Sequence, residues 1–102
     1  MISEQIGAVR LLPWAGPDGK PCYVIGGGDG YVSRLADEIE SVQLSMSTEL
    51  LGHAADMLDD DSVTWEQLRF LVARMRESLR DLHRIAESRG ARLEASALSD
   101  VP

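Results

Sequence analysis

Residues 31–89, YVSRLADEIESVQLSMSTELLGHAADMLDDDSVTWEQLRFLVARMRESLRDLHRIAESR, decide the fold of this 102-residue chain. They predict two long helices, residues 31–58 and 64–89, separated by the acidic break Asp59-Asp60-Asp61. Aspartates are unfavourable at the C-terminal end of one helix dipole and favourable just ahead of the N-terminal end of the next. Because the break is short, we expect the two helices to pack side by side as an antiparallel pair.

The first predicted helix has an apolar stripe along its length. With 100° of turn per residue, the stripe occupies an arc about 120° wide, and we expect it to pack against the second helix. Its members are Val32, Leu35, Ala36, Ile39, Val42, Met46, Leu50, Ala54 and Met57.

A second apolar stripe flanks the first and consists of Leu44, Leu51, Ala55 and Leu58. One neighbouring helix cannot cover both stripes, and helix pairs with an uncovered stripe commonly bury it by self-association. We therefore expect these four residues to form the interface of a homodimer, in which two copies make a four-helix bundle.

The second predicted helix has clear start and stop signals. Thr64 and Gln67 fit a capping box, in which each side chain accepts a hydrogen bond from the other residue's free backbone N–H. Arg89 followed by Gly90 is typical of a helix end. The apolar set of this helix is Trp65, Leu68, Leu71, Val72, Met75, Leu79, Leu82, Ile85 and Ala86.

The N-terminal region predicts a β-hairpin over residues 8–25, with Gly16-Pro17-Asp18-Gly19 as its turn. A glycine-rich connector, residues 26–30, then leads into the first helix. The expected fold is α+β and mostly α: a short hairpin followed by a long helical hairpin. We expect residues 1–92 to form a single domain and residues 93–102 to be a disordered tail.

Composition narrows the range of functions. The chain is 44% apolar and 26% charged, as is common for soluble globular proteins, and its net charge of −7 disfavours binding to nucleic acid or anionic membranes. Cys22 is the only cysteine, so no disulfide can form within the chain, which fits a reducing cytosol. No run of 18 apolar residues predicts a membrane span. We expect a cytoplasmic protein.

Glu49, His53 and Asp56 fall on one flank of the first helix, a spacing that could hold a metal ion or support acid–base chemistry. The simpler interpretation is a half-buried histidine at an interface. Antiparallel packing would place His83, on the second helix, about 20 Å from His53. The two histidines are therefore not expected to share a site within one copy.

Arg69, Arg76, Arg80 and His83 form a narrow stripe on the second helix. The stripe could bind an acidic partner or a phosphate backbone. The alternative is a solvated face whose charges are balanced by acids of the neighbouring helix.

The sequence presents no catalytic set and predicts no cofactor. Our leading hypothesis is a non-catalytic, cytosolic, homodimeric interaction or regulatory module that acts through a protein partner. One alternative is a nucleic-acid or anion binder that uses the arginine stripe. The other is a small enzyme or metal site, built around His53 at a dimer interface.

Overall fold

The computed structural model describes residues 9–26 and 30–99 of the chain. Its elements are β1 (Val9–Ala15), β2 (Pro21–Ile25), α1 (Tyr31–Leu58) and α2 (Trp65–Ser99). The predicted fold class is confirmed, because the chain is mostly helical, with a two-stranded antiparallel hairpin followed by two helices. Residue 8 of the predicted hairpin, residues 27–29 of the glycine connector and residues 100–102 of the predicted tail lie outside the described residues.

The hairpin has the turn that its sequence predicts. The N–H of Gly19 donates to the carbonyl of Gly16 at 3.0 Å, and the N–H of Gly16 donates to the carbonyl of Lys20 at 2.8 Å. Gly19 has a φ of 74°, a left-handed conformation that glycine adopts without steric cost. The strand register becomes irregular between Leu11 and Ala15, around Pro13, which has no N–H to donate to a ladder.

The connection between α1 and α2 is fixed by local hydrogen bonds. The N–H of Thr64 donates to Oε1 of Gln67 at 2.9 Å, and the N–H of Gln67 donates to Oγ1 of Thr64 at 3.1 Å, which confirms the capping box. The carboxylate of Asp60 accepts hydrogen bonds from the hydroxyl and the N–H of Ser62. These two bonds hold the pKa of Asp60 below its ordinary value.

The predicted end of α2 is wrong. The helix does not stop at Arg89 but continues through Gly90 to Ser99, so residues 93–99 of the predicted disordered tail are helical. Gly90 does not take a positive φ, and a glycine inside a helix costs only about 1 kcal/mol relative to alanine. Strong helix formers follow Gly90 in the segment 91–95, and they outweigh this cost.

The predicted apolar stripe of α1 is only partly buried, and two polar residues are buried beside it. Val42 and Met46 are 58% and 44% exposed, whereas Ser33 and Glu40 are almost completely buried. The hairpin explains the difference, because β1 packs on this half of α1 and supplies polar partners. Apolar periodicity predicts the face that contacts another apolar helix, and it cannot predict burial against a charged partner.

Arg10 on β1 provides that charged partner. Its guanidinium donates to the carbonyl of Ser33 at 3.0 Å, to Asp37 at 2.7 Å and to Glu40 at 3.2 Å. Arg89 of α2 reaches the other oxygen of Glu40 at 3.4 Å. The side chain of Glu40 is 2% exposed and that of Arg10 is 9% exposed. This ionic cluster joins β1, α1 and α2.

Further polar contacts hold β1 on α2. The hydroxyl of Ser88 donates to the carbonyl of Leu11 at 2.8 Å, and Arg84 donates to the carbonyl of Pro13 at 3.2 Å. Arg92 donates to the hydroxyl of Ser88 at 2.6 Å. Burial, followed by the positive charge of Arg10, lowers the pKa of Arg92. These hydrogen bonds hold β1 against α2 beside the buried side chains of Leu12 and Pro13.

Removing Arg10 should destabilise the fold strongly. We expect Arg10→Ala to lower the free energy of unfolding by about 3–5 kcal/mol, because Glu40 would remain buried without its closest cation. Urea denaturation at fixed protein concentration measures this loss. Arg69→Ala is the matched control: Arg69 is exposed, so its loss should change stability by no more than about 0.5 kcal/mol. Equal losses in the two variants would contradict the role of the cluster.

The capping box should make a smaller, local contribution. We expect Thr64→Ala to lower the free energy of unfolding by about 1 kcal/mol, because the N–H of Gln67 loses its acceptor. Thr48→Ala is the control, since Thr48 is an exposed threonine inside α1 that bonds only to the carbonyl of Leu44. Denaturation of both variants, compared with the unmodified chain, tests the assignment. A loss as large for Thr48→Ala would contradict it.

Candidate interaction surfaces

A shallow apolar groove runs between α1 and α2 on one side of the helix pair, with a volume of about 100 Å³. Its rims are Leu51 on α1 and Leu79 on α2, and both side chains are more than 60% exposed. The residues that line the groove are Ser47, Leu50, Leu51, Met75, Ser78, Leu79 and Leu82.

Exposed apolar side chains extend the groove in both directions along the helices. They recur every seven residues, a spacing that keeps side chains on one face of a helix that packs against others. The exposed flank of α1 and the exposed flank of α2 both border this groove. Because the helices are antiparallel, these two flanks lie on the same side of the helix pair. We call this surface the apolar face, and its members are Leu44, Leu51 and Leu58 of α1 with Trp65, Val72 and Leu79 of α2.

The structure exposes the four residues predicted as an interface. Leu51 and Leu58 are 67% and 86% exposed, Leu44 is partly covered, and Ala55 is exposed. Their burial by a second copy stays a prediction.

Five members of the apolar set predicted for α2 are exposed, and Leu68 and Ala86 are two of them. Trp65, Val72 and Leu79 are between 62% and 67% exposed. The apolar arc of α2 is wider than the single helix α1 can cover, so its outer side faces solvent. The sequence contains a pattern that indicates this additional apolar face of α2. Apolar residues recur at intervals of seven, at Trp65, Val72, Leu79, Ala86 and Leu93.

A different groove occurs between α1 and α2, and its lining is mostly polar. It is formed by Gln43, Met46, Glu49, Leu50, His53, Arg74, Glu77, Ser78 and Asp81. Burial raises the pKa of Asp81, with Arg84 opposing the rise and Glu77 adding to it. The helix pair therefore has one apolar and one charged groove.

The proposed metal ligands are only partly brought together. Glu49 and His53 both line the polar groove, but Asp56 does not. Across residues 9–26 and 30–99, no group of three or more His, Cys, Asp or Glu side chains is arranged to hold a metal ion. The two histidines line separate surfaces, because His83 belongs to a cleft beside the hairpin.

A cleft lies between the β-hairpin and α2, with a volume of about 470 Å³. It is larger than the apolar groove and the polar groove between the helices. We call it the cationic cleft. One wall is a ridge of charged side chains on α2, and the other is formed by the hairpin and its turn. Its lining residues are Leu11, Gly19, Pro21, Arg76, Leu79, Arg80, His83, Arg84 and Glu87.

The charged residues of the cleft differ in the hydrogen bonds and ion pairs that they make. Arg84 bonds to the carbonyl of Pro13 and lies 3.9 Å from Asp81. Nδ1 of His83 lies 3.4 Å from Glu87. Arg76 and Arg80 are exposed, and neither makes a hydrogen bond or an ion pair with any described residue.

The structure divides the predicted arginine stripe into two parts. Arg76, Arg80 and His83 line the cationic cleft, while Arg69 lies beside Trp65 and Val72 on a neighbouring surface. Arg76 borders both. The sequence pattern could not reveal the hairpin wall of the cleft, because that wall depends on where the hairpin packs.

Two further findings concern the class of protein. Neither described helix combines the length and apolarity that a bilayer crossing requires. The chain matches no protein-family model, no curated protein and no solved structure with which it was compared.

Proposed function

We propose that this chain is a non-catalytic, cytosolic interaction module that forms a homodimer and acts through a protein partner. The observation that carries the proposal is the apolar face. Large apolar side chains rarely form a continuous exposed surface on a monomeric protein, and such surfaces commonly mark sites of protein association.

The shape of a single copy supports the proposal. The chain measures 62 × 31 × 19 Å and has a radius of gyration of 17.9 Å, whereas a compact domain of this length has a radius of gyration of about 13 Å. Few apolar side chains among the described residues are buried: Leu12, Pro13, Ala36, Leu71 and Ile85.

A second copy is the occupant that best fits the apolar face. Both helices contribute residues at intervals of seven, so two faces related by a twofold axis can interlock as in a four-helix bundle. Charge also favours this pairing. Within Tyr31–Leu58, α1 has five acids and one arginine, whereas α2, Trp65–Ser99, has seven arginines and five acids. Placing α1 of one copy beside α2 of the other brings opposite charges together.

The cytosolic assignment is part of the proposal and depends on Cys22. The chain has no second cysteine for an intrachain disulfide, which fits a reducing compartment. The hypothesis of a metal site at His53 has no ligand cluster among the described residues to support it.

The dimer is tested by light scattering after size exclusion, over a series of concentrations. We expect the unmodified chain to have twice the mass of one copy. Leu51→Glu and Leu79→Glu should each give a monomer or an insoluble chain, because each places a charge at the centre of the apolar face.

Leu98→Glu is the matched control, because Leu98 is 74% exposed near the end of α2, far from the groove. This variant should keep the mass of the dimer. An unmodified chain that stays monomeric and soluble at high concentration would contradict the proposal. Circular dichroism of each soluble variant shows whether its helices remain folded.

A further inference from the structure

The cationic cleft is a concave site that the apolar face does not explain. We propose that it binds an extended acidic segment of a partner protein, with acidic side chains on Arg76 and Arg80. This inference rests on the proposed function and deepens it, because it names the chemistry by which the module recognises its partner.

Arg76 and Arg80 are available to a ligand from outside the chain. Arg76 and Arg80 are exposed in the cleft and make no ion pair within the described part of the chain. The chain has 17 acidic residues against 10 basic ones, so two neighbouring arginines that make no ion pair with a described acid are unexpected. A guanidinium binds a carboxylate through two parallel N–H donors. Arg76 and Arg80 can therefore each bind an acidic side chain of another molecule.

The spacing of Arg76 and Arg80 matches the side-chain spacing of an extended peptide. Arg76 and Arg80 are four residues apart on α2, which separates them by about 6 Å along the helix axis. In an extended chain, side chains on the same side recur about every 6.6–6.8 Å. Two acids separated by one residue can therefore contact the two arginines at once, without bending the peptide.

The wall of the cleft opposite the arginines is apolar. It is formed by Leu11 and Pro21 of the hairpin. Successive side chains of an extended chain point in opposite directions. A segment in which acidic and apolar residues alternate can thus place acids on the arginines and apolar groups against the hairpin.

The remaining charges limit the length and type of ligand. Glu87 lies at one end of the cleft, close to His83, and repels an anion that extends past it. The net charge of −7 repels long polyanions such as nucleic acids. A short acidic segment that contacts only the arginine ridge avoids most of this repulsion. No acid among the described residues forms an ion pair with Arg76 or Arg80.

The probe is a fluorescein-labelled peptide of sequence Glu-Leu-Glu-Leu-Glu-Leu, and its binding to the full chain is followed by fluorescence anisotropy at low ionic strength. We expect saturable binding that weakens as salt is added. Reversing both charges in Arg76→Glu/Arg80→Glu should weaken binding at least about tenfold, since two charge-assisted contacts are lost. A peptide with the same composition in two blocks, three Glu then three Leu, should bind more weakly than the alternating one.

The matched control is Arg69→Glu/Arg74→Glu. It makes the same change in net charge on the same helix, but neither residue lines the cleft. It should keep most of the peptide affinity. Equal losses in the two double variants would show that overall charge, and not the cleft, controls binding, and would overturn the proposal.

Parallel measurements distinguish the other outcomes. Tighter binding of a single-stranded oligonucleotide than of the peptide would overturn the proposal in favour of a nucleic-acid site. A change of molecular mass in Arg76→Glu/Arg80→Glu would overturn it by assigning the arginines to the contact between copies. A dimeric chain that does not bind the peptide would refute this inference alone. A monomeric chain that binds it would refute the dimer alone.

Discussion

The ion pair between Arg10 and Glu40 is the interaction on which the arrangement of the three structural units depends. A two-stranded hairpin is marginally stable by itself, so its position must be set by the surface on which it lies. Arg10 is buried, and its NH1 and NH2 groups are satisfied only where the carbonyl of Ser33 and the carboxylates of Asp37 and Glu40 converge. A buried ion pair adds little net stability compared with apolar packing, but its geometric demands are strict. These contacts fix where the hairpin lies on α1.

That position determines which parts of the helix pair are covered. The hairpin packs where α1 presents Ser33 and Glu40 and where α2 presents Ser88, so it masks a polar stretch of both helices. It does not mask the apolar face, whose residues remain exposed. The position of the hairpin on the helix pair therefore has two consequences: the hairpin makes polar contacts, and the apolar face stays uncovered. A surface of this kind is available for association, which is the basis of the proposed dimer.

The position of the hairpin also determines which arginines have partners within the chain. Arg10 and Arg89 are used to neutralise Glu40, and Arg84 holds the carbonyl of Pro13. Arg76 and Arg80 make no ion pair with any described acid. They therefore line the cationic cleft as unpaired cations in an acidic protein. An acidic protein partner can supply the missing charge.

The sequence by itself determined the elements and the order in which they occur. The capping box at Thr64, the turn ending at Gly19 and the break at Asp59-Asp60-Asp61 are encoded locally, because each depends on hydrogen bonds or backbone angles within a few residues. Only the tertiary structure decided which faces are buried. Glu40 belongs to the core because Arg10, 30 residues earlier, lies against it, and the cationic cleft exists because the hairpin packs beside α2. Contacts between distant residues leave no periodic signal in the sequence, so they could not be predicted from it.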